Sequence, residues 1–375
     1  MRQTSTVLGI SIDILTLDKL LEAVERLVTG EAPPYHQIAY LNVDCINQYY
    51  RNSAYKEIID GADLVYADGM GVVWASRLFG VSLPERLTAA DFIDNVCQLC
   101  QEKGFSIFLL GSEPGVAQMA ADKLLERFPK LKVAGVEDGF FDAENEEKVV
   151  GRISAASPDI LLVGMSVPKQ EFWIRRHIDR LGVPVCWGVG ALFEFISGFT
   201  RRAPKWMGDY GLEWLYRLIL EPSRLWRRYL LGNVSFALRA FLLVITDIAA
   251  FSLSWIGAYS IRAALNRVFG VPINPFEAYL MSLPLMVFLW VMSCFFFGLY
   301  RRPTETTRFG EFVSILKATV LSMLIVMATS FMFKGFDFGR SVVIISIFLN
   351  FLALMTSRLV ARKIEERHGP TRGGS

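Results

Sequence analysis

The sequence predicts two kinds of structure in series, an α/β domain on a mainly parallel sheet and then an all-α membrane region of four helices. Three observations predict it. Up to about Pro222, short apolar runs alternate with amphipathic helical stretches, and charges are scattered among them. Most apolar runs end in small or polar residues and lead straight into a helical pattern, the rhythm of strand–loop–helix units. Beyond Ser235 the chain becomes rich in Phe, Leu, Ile and Met, with charges confined to short clusters.

The strand candidates, in order, are YHQIAYLNV, ADLVYA, FSIFLLG, DILLVGM and PVCWGVG. FSIFLLGSEPG runs into the helical VAQMAADKLLERFP, and DILLVGMSVPKQ into EFWIRRHIDRL. Ligands of such sheets bind at the carboxyl ends of strands, so the residues just past each run are those to weigh. With 375 residues, 53% of them hydrophobic, the chain has room for two domains and is too apolar to be wholly soluble. The expected division is a globular domain over 1–200, a basic aromatic segment over 201–235, membrane helices over 236–363 and a disordered tail over 364–375.

Four spans are expected: FALRAFLLVITDIAAFSLSWIGAYSI, FEAYLMSLPLMVFLWVMSCFFFGLY, FVSILKATVLSMLIVMATSFMF and SVVIISIFLNFLALMTSRLVA. Each is close to the ~20 residues needed to cross a bilayer core. Arg224, Arg227, Arg228, Arg301, Arg302, Arg308, Arg358, Arg362, Lys363 and Arg367 fall on one side, against Arg262, Arg267, Lys334 and Arg340 on the other. The positive-inside rule then puts both termini in the cytoplasm. The N-terminus lacks the basic start and apolar stretch of a signal peptide. The net charge of +2 says little about partners, because its distribution matters more than its sum; no nucleic-acid partner is expected. The five cysteines are odd in number and scattered, and the Cys97/Cys100 pair sits in a helical pattern with no second pair, so free thiols are expected.

Asp68, in ADLVYADGMG, can act as a general base at a strand end or simply make an Asp-Gly turn. Asn42 and Asp44 can hydrogen-bond sugar or ribose hydroxyls, or cap the following helix. The loop LLGSEPGVA suits either a phosphate or a tight turn; it has neither a Walker pattern nor G-x-G-x-x-G. VPKQEFW places Lys169, Gln170 and Glu171 at a helix start, and GVGALFEFISGFTRRAPKW adds Glu194, Arg201, Arg202 and Lys205. In GLEWLYRLILEPSRLWRRYL, at 100° per residue, Arg217, Arg224 and Arg228 share one stripe and Arg227 lies about 80° away. Pro222 kinks or restarts that helix. The interleaved Trp and Tyr fit anchoring to anionic lipid, and the arginines fit a diphosphate equally well. No D-x-D occurs, so no metal ligands are expected; arginines and helix N-termini would stabilise a leaving diphosphate.

Taken together, the N-x-D that follows YHQIAYL and the strings ADGMGVVWASRLFG, ERLTAADF, FLLGSEPGVA, VGMSVPKQEFW, GVGALFEFISG, RRAPKW and GLEWLYRLILEPSRLWRR resemble WecG/TagA/CpsF glycosyltransferases over roughly residues 5 to 230. The resemblance implies a GT-E-like fold and an inverting hexosyltransferase with no cofactor. Its substrates would be a UDP-sugar donor, of the N-acetylmannosamine type, and a polyprenyl-diphosphate-linked sugar acceptor, in bacterial cell-surface polysaccharide synthesis. It assigns Asp68 as the base, Asn42, Arg86 and Gln170 as active-site polar residues, and Arg217, Arg224 and Arg227 as a basic C-terminal appendage closing over the site at the membrane. Departures are Tyr40 for a common Thr, Ala89 and Ser166 for frequent Gly, and Glu194, at a substrate-binding position, for a usual Asp. Tyr40 and Glu194 leave a glucosyl or uronosyl donor open. The C-terminal part resembles the four-span region of polyprenyl-phosphate glycosylphosphotransferases without their catalytic domain. That implies a multi-pass protein of the bacterial inner membrane, docking to other polysaccharide-assembly enzymes or to itself. A non-catalytic membrane scaffold is the rival reading.

Overall fold

The computed structural model describes residues 3–30, 35–78, 81–270, 273–297, 299, 308–332 and 339–368. It divides into two compact units, one made of the chain through Arg77 together with Val81–Ala237, the other continuing from Leu238. Arg301, Arg302 and Lys334, which entered the charge count for orientation, and the tail 369–375 lie outside the described residues.

The first unit opens with a hairpin, β1 (Thr4–Val7) and β2 (Ile10–Asp13), turned by Leu8 and Gly9 at φ 47 and 80. Two positive φ values in a two-residue loop suit the twist of a hairpin. Then follow α1 (Leu17–Thr29), β3 (His36–Leu41), α2 (Val43–Arg51), α3 (Ser53–Asp60), β4 (Leu64–Ala67) and α4 (Met70–Leu78). After these come α5 (Ala89–Lys103), β5 (Ser106–Gly111), α6 (Val116–Arg127), β6 (Lys132–Glu137) and α7 (Ala143–Ala156). The sheet is completed by β7 (Ile160–Gly164), α8 (Lys169–Leu181), β8 (Val185–Gly188) and α9 (Leu192–Ser197).

Six strands form one parallel sheet in the order β4-β3-β8-β7-β5-β6. The five apolar runs of the sequence are β3, β4, β5, β7 and β8, and each is buried along almost its whole length. Continuous apolar runs are what a sheet covered on both faces requires. The edge strand β6 and the hairpin add to the expected set. KVAGVE carries Lys, Gly and Glu and is only half-buried, so its apolar signal is weak.

At the ends of β5 and β7 the backbones approach so closely that only glycine fits. Gly111 has φ 140, and a Cβ there would stand 2.3 Å from the Gly164 carbonyl oxygen. Gly111→Ala therefore forces a backbone shift as well as strain, about 3 kcal/mol in all. The expected outcome is a fall of about 10 °C in the melting temperature of this unit, read by differential scanning calorimetry.

The unit ends in a chain of short helices: α10 (Lys205–Asp209), α11 (Glu213–Leu220), α12 (Pro222–Trp226), a π-helical turn (Arg227–Leu231) and α13 (Gly232–Ala240). Pro222 stands in the first turn of α12, so it restarts the helix, as its missing N–H allows there.

The second unit holds α14 (Leu242–Ala264), α15 (Asn266–Phe269), α16 (Phe276–Phe296), α17 (Arg308–Met332) and α18 (Arg340–His368). Among the described residues, three stretches are long and apolar enough to cross a bilayer: Val244–Ala264, Phe276–Phe296 and Arg340–Val360. The expected third span is helical, but its apolar stretch, Phe312–Ala328, is shorter and includes Lys317. α18 also runs past the point where a disordered tail was expected to begin.

Two arginines assigned to loops in the sequence lie inside helices. Arg358 of α18 is buried and donates to Asp247 of α14 at 2.6 Å. Arg262 is buried in α14, donating to Ser341 and Asn266 at 2.8 and 2.9 Å. Neither therefore counts as a loop charge for orientation. Charges within apolar helices persist only when paired inside the bundle. Asp247→Asn leaves Arg358 without its carboxylate and should cost about 3–5 kcal/mol, measured by thermal melting in detergent. Asp247→Leu with Arg358→Met should recover most of that loss.

Candidate active site

A cavity of about 600 Å³ opens in the first unit at the carboxyl ends of the strands, where β3 and β4 meet β8 and β7. Its size and position are those of a ligand crevice in an open α/β sheet. β3 leads to Tyr40 and Asn42, β4 to Asp68, and β7 and β8 to Ser166 and Gly190. The C-terminal helices form the other wall with Glu213, Arg217, Arg224 and Arg228.

Asp68 is placed by the sheet itself, its backbone N–H donating to Leu41 O at 2.8 Å as β4 leaves the sheet beside β3. Thr88 Oγ1 donates to its carboxylate at 2.8 Å, and the Asn42 side chain also hydrogen-bonds it. Burial among protein groups, with the Glu213 carboxylate adding to it, pushes the Asp68 pKa up to about 6, against the opposing effects of Thr88, Arg86 and Asn42. A carboxylate of that basicity, held at a cavity wall, is suited to accept a proton near neutral pH.

Asn42 does cap a helix. Its Oδ1 accepts from the backbone N–H groups of Asp44 and Cys45, both at 3.0 Å, which starts α2. The same residue lines the cavity, so capping fixes its position there. Asp44 pairs with Arg228 at 3.1 Å. Burial works to lower the Arg228 pKa, but the Asp44 carboxylate together with Tyr229, Tyr40 and Cys45 outweighs it, so the pKa is raised and the guanidinium stays charged.

Tyr40 is nearly buried, with its hydroxyl against Gly190, where an added Cβ would lie 2.6 Å away. Burial raises its pKa well above that of a free phenol, so it meets a ligand as a neutral hydroxyl. Glu194 opens α9 and also lines the cavity. Its burial raises its pKa, and Arg224 and Arg217 pull it back down. Ser166 has φ 63, a left-handed conformation that glycine adopts without strain.

The structure does not bring every expected residue to the cavity wall. Gln170 is fully buried beneath it, where its Oε1 accepts from Gly190 N at 3.0 Å and its Nε2 donates to Glu171 at 2.7 Å. It shapes the Gly190 turn from below. Arg227 points away from the cavity and lies exposed over the Trp226 ring, 5.3 Å from its centroid. Arg228 takes the inner position, as the helical stripe with Arg217 and Arg224 indicates. Arg217 lies over Phe195 at 5.5 Å, and its buried Nε has no hydrogen-bond partner among the described residues. Arg86 lines the cavity and is held by carboxylates, Asp91 at 2.9 Å, Glu213 at 3.7 Å and Asp209 at 3.8 Å. The loop from Gly111 to Gly115 does not contribute to the wall. Glu213 and Trp214 belong to the GLEWLYR string, but the sequence assigns Glu213 no role of its own and Trp214 only a place among the interleaved aromatics; both line the cavity.

A carboxylate of raised pKa opposite a set of arginines, at a sheet's carboxyl edge, suits an anionic ligand. The family model of the glycosyl transferase WecG/TagA/CpsF family matches residues 5–247. The chain belongs to this family. Two relatives are the N-acetylglucosaminyldiphosphoundecaprenol N-acetyl-beta-D-mannosaminyltransferases of Staphylococcus aureus strains NCTC 8325 and COL. Each is 31% identical over 221 residues, covering 59% of this chain and 86% of the relative. The family match takes in every residue that lines the cavity and ends at the start of α14.

Proposed function

We propose that the chain transfers a sugar from a UDP donor to a sugar linked to a polyprenyl diphosphate, with inversion and without a metal ion. The observation that carries this reading is Asp68, a carboxylate with a pKa of about 6 on the wall of an arginine-lined cavity. In the transfer the acceptor hydroxyl oxygen attacks the anomeric carbon, Asp68 takes the hydroxyl proton, and the bond to UDP breaks. Arg217, Arg224 and Arg228 neutralise the departing diphosphate or that of the acceptor. Asn42 and Glu194 orient hydroxyls, Arg86 belongs to the same polar set, and Gln170 acts through Gly190.

The relatives' names supply an N-acetylmannosaminyl group and an N-acetylglucosaminyl-diphosphoundecaprenol acceptor as the first substrates to try. Tyr40 favours a second donor class. Its ring fills space beside Gly190 that a smaller residue would leave to a sugar substituent, so a glucosyl or uronosyl donor fits the narrower wall.

The remaining assignments follow from this reading. The globular domain over 1–200 is GT-E-like, the segment over 201–235 touches the membrane surface, and four helices over 236–363 span the inner membrane with both termini in the cytoplasm. The polar set gathered at the cavity favours an enzyme over a scaffold. Identification of the nucleotide released on turnover tests the reaction type: UDP supports glycosyl transfer, and UMP indicates a phosphotransferase instead. Nuclear magnetic resonance of the product reports whether the anomeric configuration has inverted.

A further inference from the structure

α4 turns two different faces to its surroundings. Val72, Val73, Ala75 and Ser76 are buried in the α/β domain. Met70, Gly71 and Trp74, at i, i+1 and i+4, share the other side of the helix and line the cavity. Trp74 is 49% exposed, and among the described residues it is the one aromatic lining the cavity that stays so open. An indole carries a large apolar area whose burial is strongly favoured, so leaving half of it uncovered calls for an occupant. Its position is nevertheless fixed. The six-membered ring lies against the backbone of Gly211, where an added Cβ would stand 2.5 Å from Trp74 Cη2 and 3.0 Å from its Cζ2. α4 itself is packed tightly at its start, since a Cβ on Gly71 would stand 2.7 Å from Val43 Cγ2. A held, half-open aromatic face on a cavity with few convergent polar groups is the usual means of orienting a ligand that is part apolar.

We propose that Trp74 is the platform for the acceptor sugar, the C–H face of whose ring stacks on the open side of the indole. The inference rests on the reading of Asp68 as the base. α4 begins two residues after Asp68, so Trp74 belongs to the element that directly follows the base and lines the same cavity. In a displacement with inversion, the attacking oxygen and the departing UDP lie on opposite sides of the anomeric carbon. The base is beside the attacking oxygen, so the segment that carries the base meets the acceptor rather than the nucleotide. A pyranose with equatorial hydroxyls presents axial C–H groups on its faces, and these partly positive hydrogens suit the negative face of an indole. Its hydroxyls stay at the ring edge, free for Asp68. Trp74 thus selects the acceptor by ring shape, and the arginines hold it by charge.

The test uses the full-length protein in detergent and measures binding without turnover. Three ligands are titrated separately: a short-chain polyprenyl-diphosphate N-acetylglucosamine, the same prenyl diphosphate without its sugar, and UDP. Trp74→Ala is expected to weaken the sugar-bearing acceptor about tenfold and to leave the other two ligands within about twofold of the parent. Trp74→Phe keeps an aromatic face and should recover most of the affinity. Trp74→Leu keeps apolar bulk without a ring and should behave like Trp74→Ala, which separates stacking from packing and serves if the Ala variant does not fold. In turnover the same loss should appear in the acceptor KM, with the donor KM unchanged. Acceptor affinity within twofold of the parent in Trp74→Ala would overturn the inference. So would an equal loss for the sugar-free prenyl diphosphate, which points to the lipid chain, or a loss for UDP, which points to the nucleotide. A parent that binds no acceptor overturns this inference and the proposed function together. If Asp68→Asn retains transfer, the base assignment alone fails, while the titrations still report whether Trp74 holds the acceptor sugar.

Discussion

Replacing Asp68 with Asn is expected to slow transfer by about 10²–10⁴-fold, the usual contribution of a positioned general base. The substitution keeps the shape and the hydrogen bond from Thr88 can re-form to the amide oxygen, so folding and donor binding should change little. The loss should therefore appear in kcat rather than in KM. The parent enzyme should show a matching pH dependence. A base must be unprotonated to act, and burial holds Asp68 at a pKa of about 6. Below that value kcat should fall about tenfold per pH unit, and above it the rate should level off. A profile with no limb near pH 6 would mean that another group takes the proton. Initial rates between pH 4.5 and 8 with a fixed donor decide this.

Removing Arg217 and Arg224 together should weaken binding of the diphosphate-bearing substrate. A hydrogen bond to a charged partner contributes about 1.5–3 kcal/mol, which is roughly 10- to 150-fold in affinity for each arginine. Arg217 is already placed, stacked on Phe195 and with an unpartnered buried Nε. Arg224 is more exposed and rests on Glu221 at 2.7 Å, so it must turn to reach a ligand. Arg217→Ala should accordingly be the more damaging of the two single changes. Arg227→Ala provides the contrast: its side chain stacks on Trp226 outside the cavity, and UDP affinity should stay within about twofold of the parent. Isothermal titration with UDP, repeated at two salt concentrations, measures these effects, and the charge contribution should shrink at higher salt.

Much of this architecture is legible in the sequence because buried parallel strands leave an unmistakable pattern. β3, β4, β5, β7 and β8 are apolar over most of their length and end in or lead into Asn, Asp or Gly, which marks both the strand and its functional end. β6 escapes because an edge strand need not be apolar on both faces. The polar residues of the site separate in the same physical terms. Asp68 and Asn42 follow strands directly, so their place at the cavity follows from topology. Gln170 also follows a strand closely, but α8 turns it under Gly190, and nothing in the local spacing distinguishes a residue above the crevice from one below it. The arginines of the C-terminal helices obey helical periodicity: the 100° stripe selects Arg217, Arg224 and Arg228, and the π-helical turn at Arg227 leaves that choice intact. Glu213, four residues before Arg217, falls on the same stripe, but the partner that holds it, Arg86, is 127 residues earlier in the numbering and brought near only by the fold. In the helical unit, Asp247 and Arg358 illustrate the same limit, since two isolated charges in apolar helices give no hint of their partner until the helices pack.

Transfer of a sugar from a UDP donor to a polyprenyl-diphosphate-linked sugar at the Asp68 cavity can be read by mass spectrometry of a short-chain polyprenyl-diphosphate N-acetylglucosamine acceptor after incubation with the purified protein and, one at a time, UDP-N-acetylmannosamine, UDP-glucose and UDP-glucuronate. The expected product is an acceptor heavier by one sugar residue with at least one donor, formed together with UDP and reduced about 10²-fold or more in Asp68→Asn. An acceptor mass unchanged with every donor, or product formed equally well by Asp68→Asn, would contradict it.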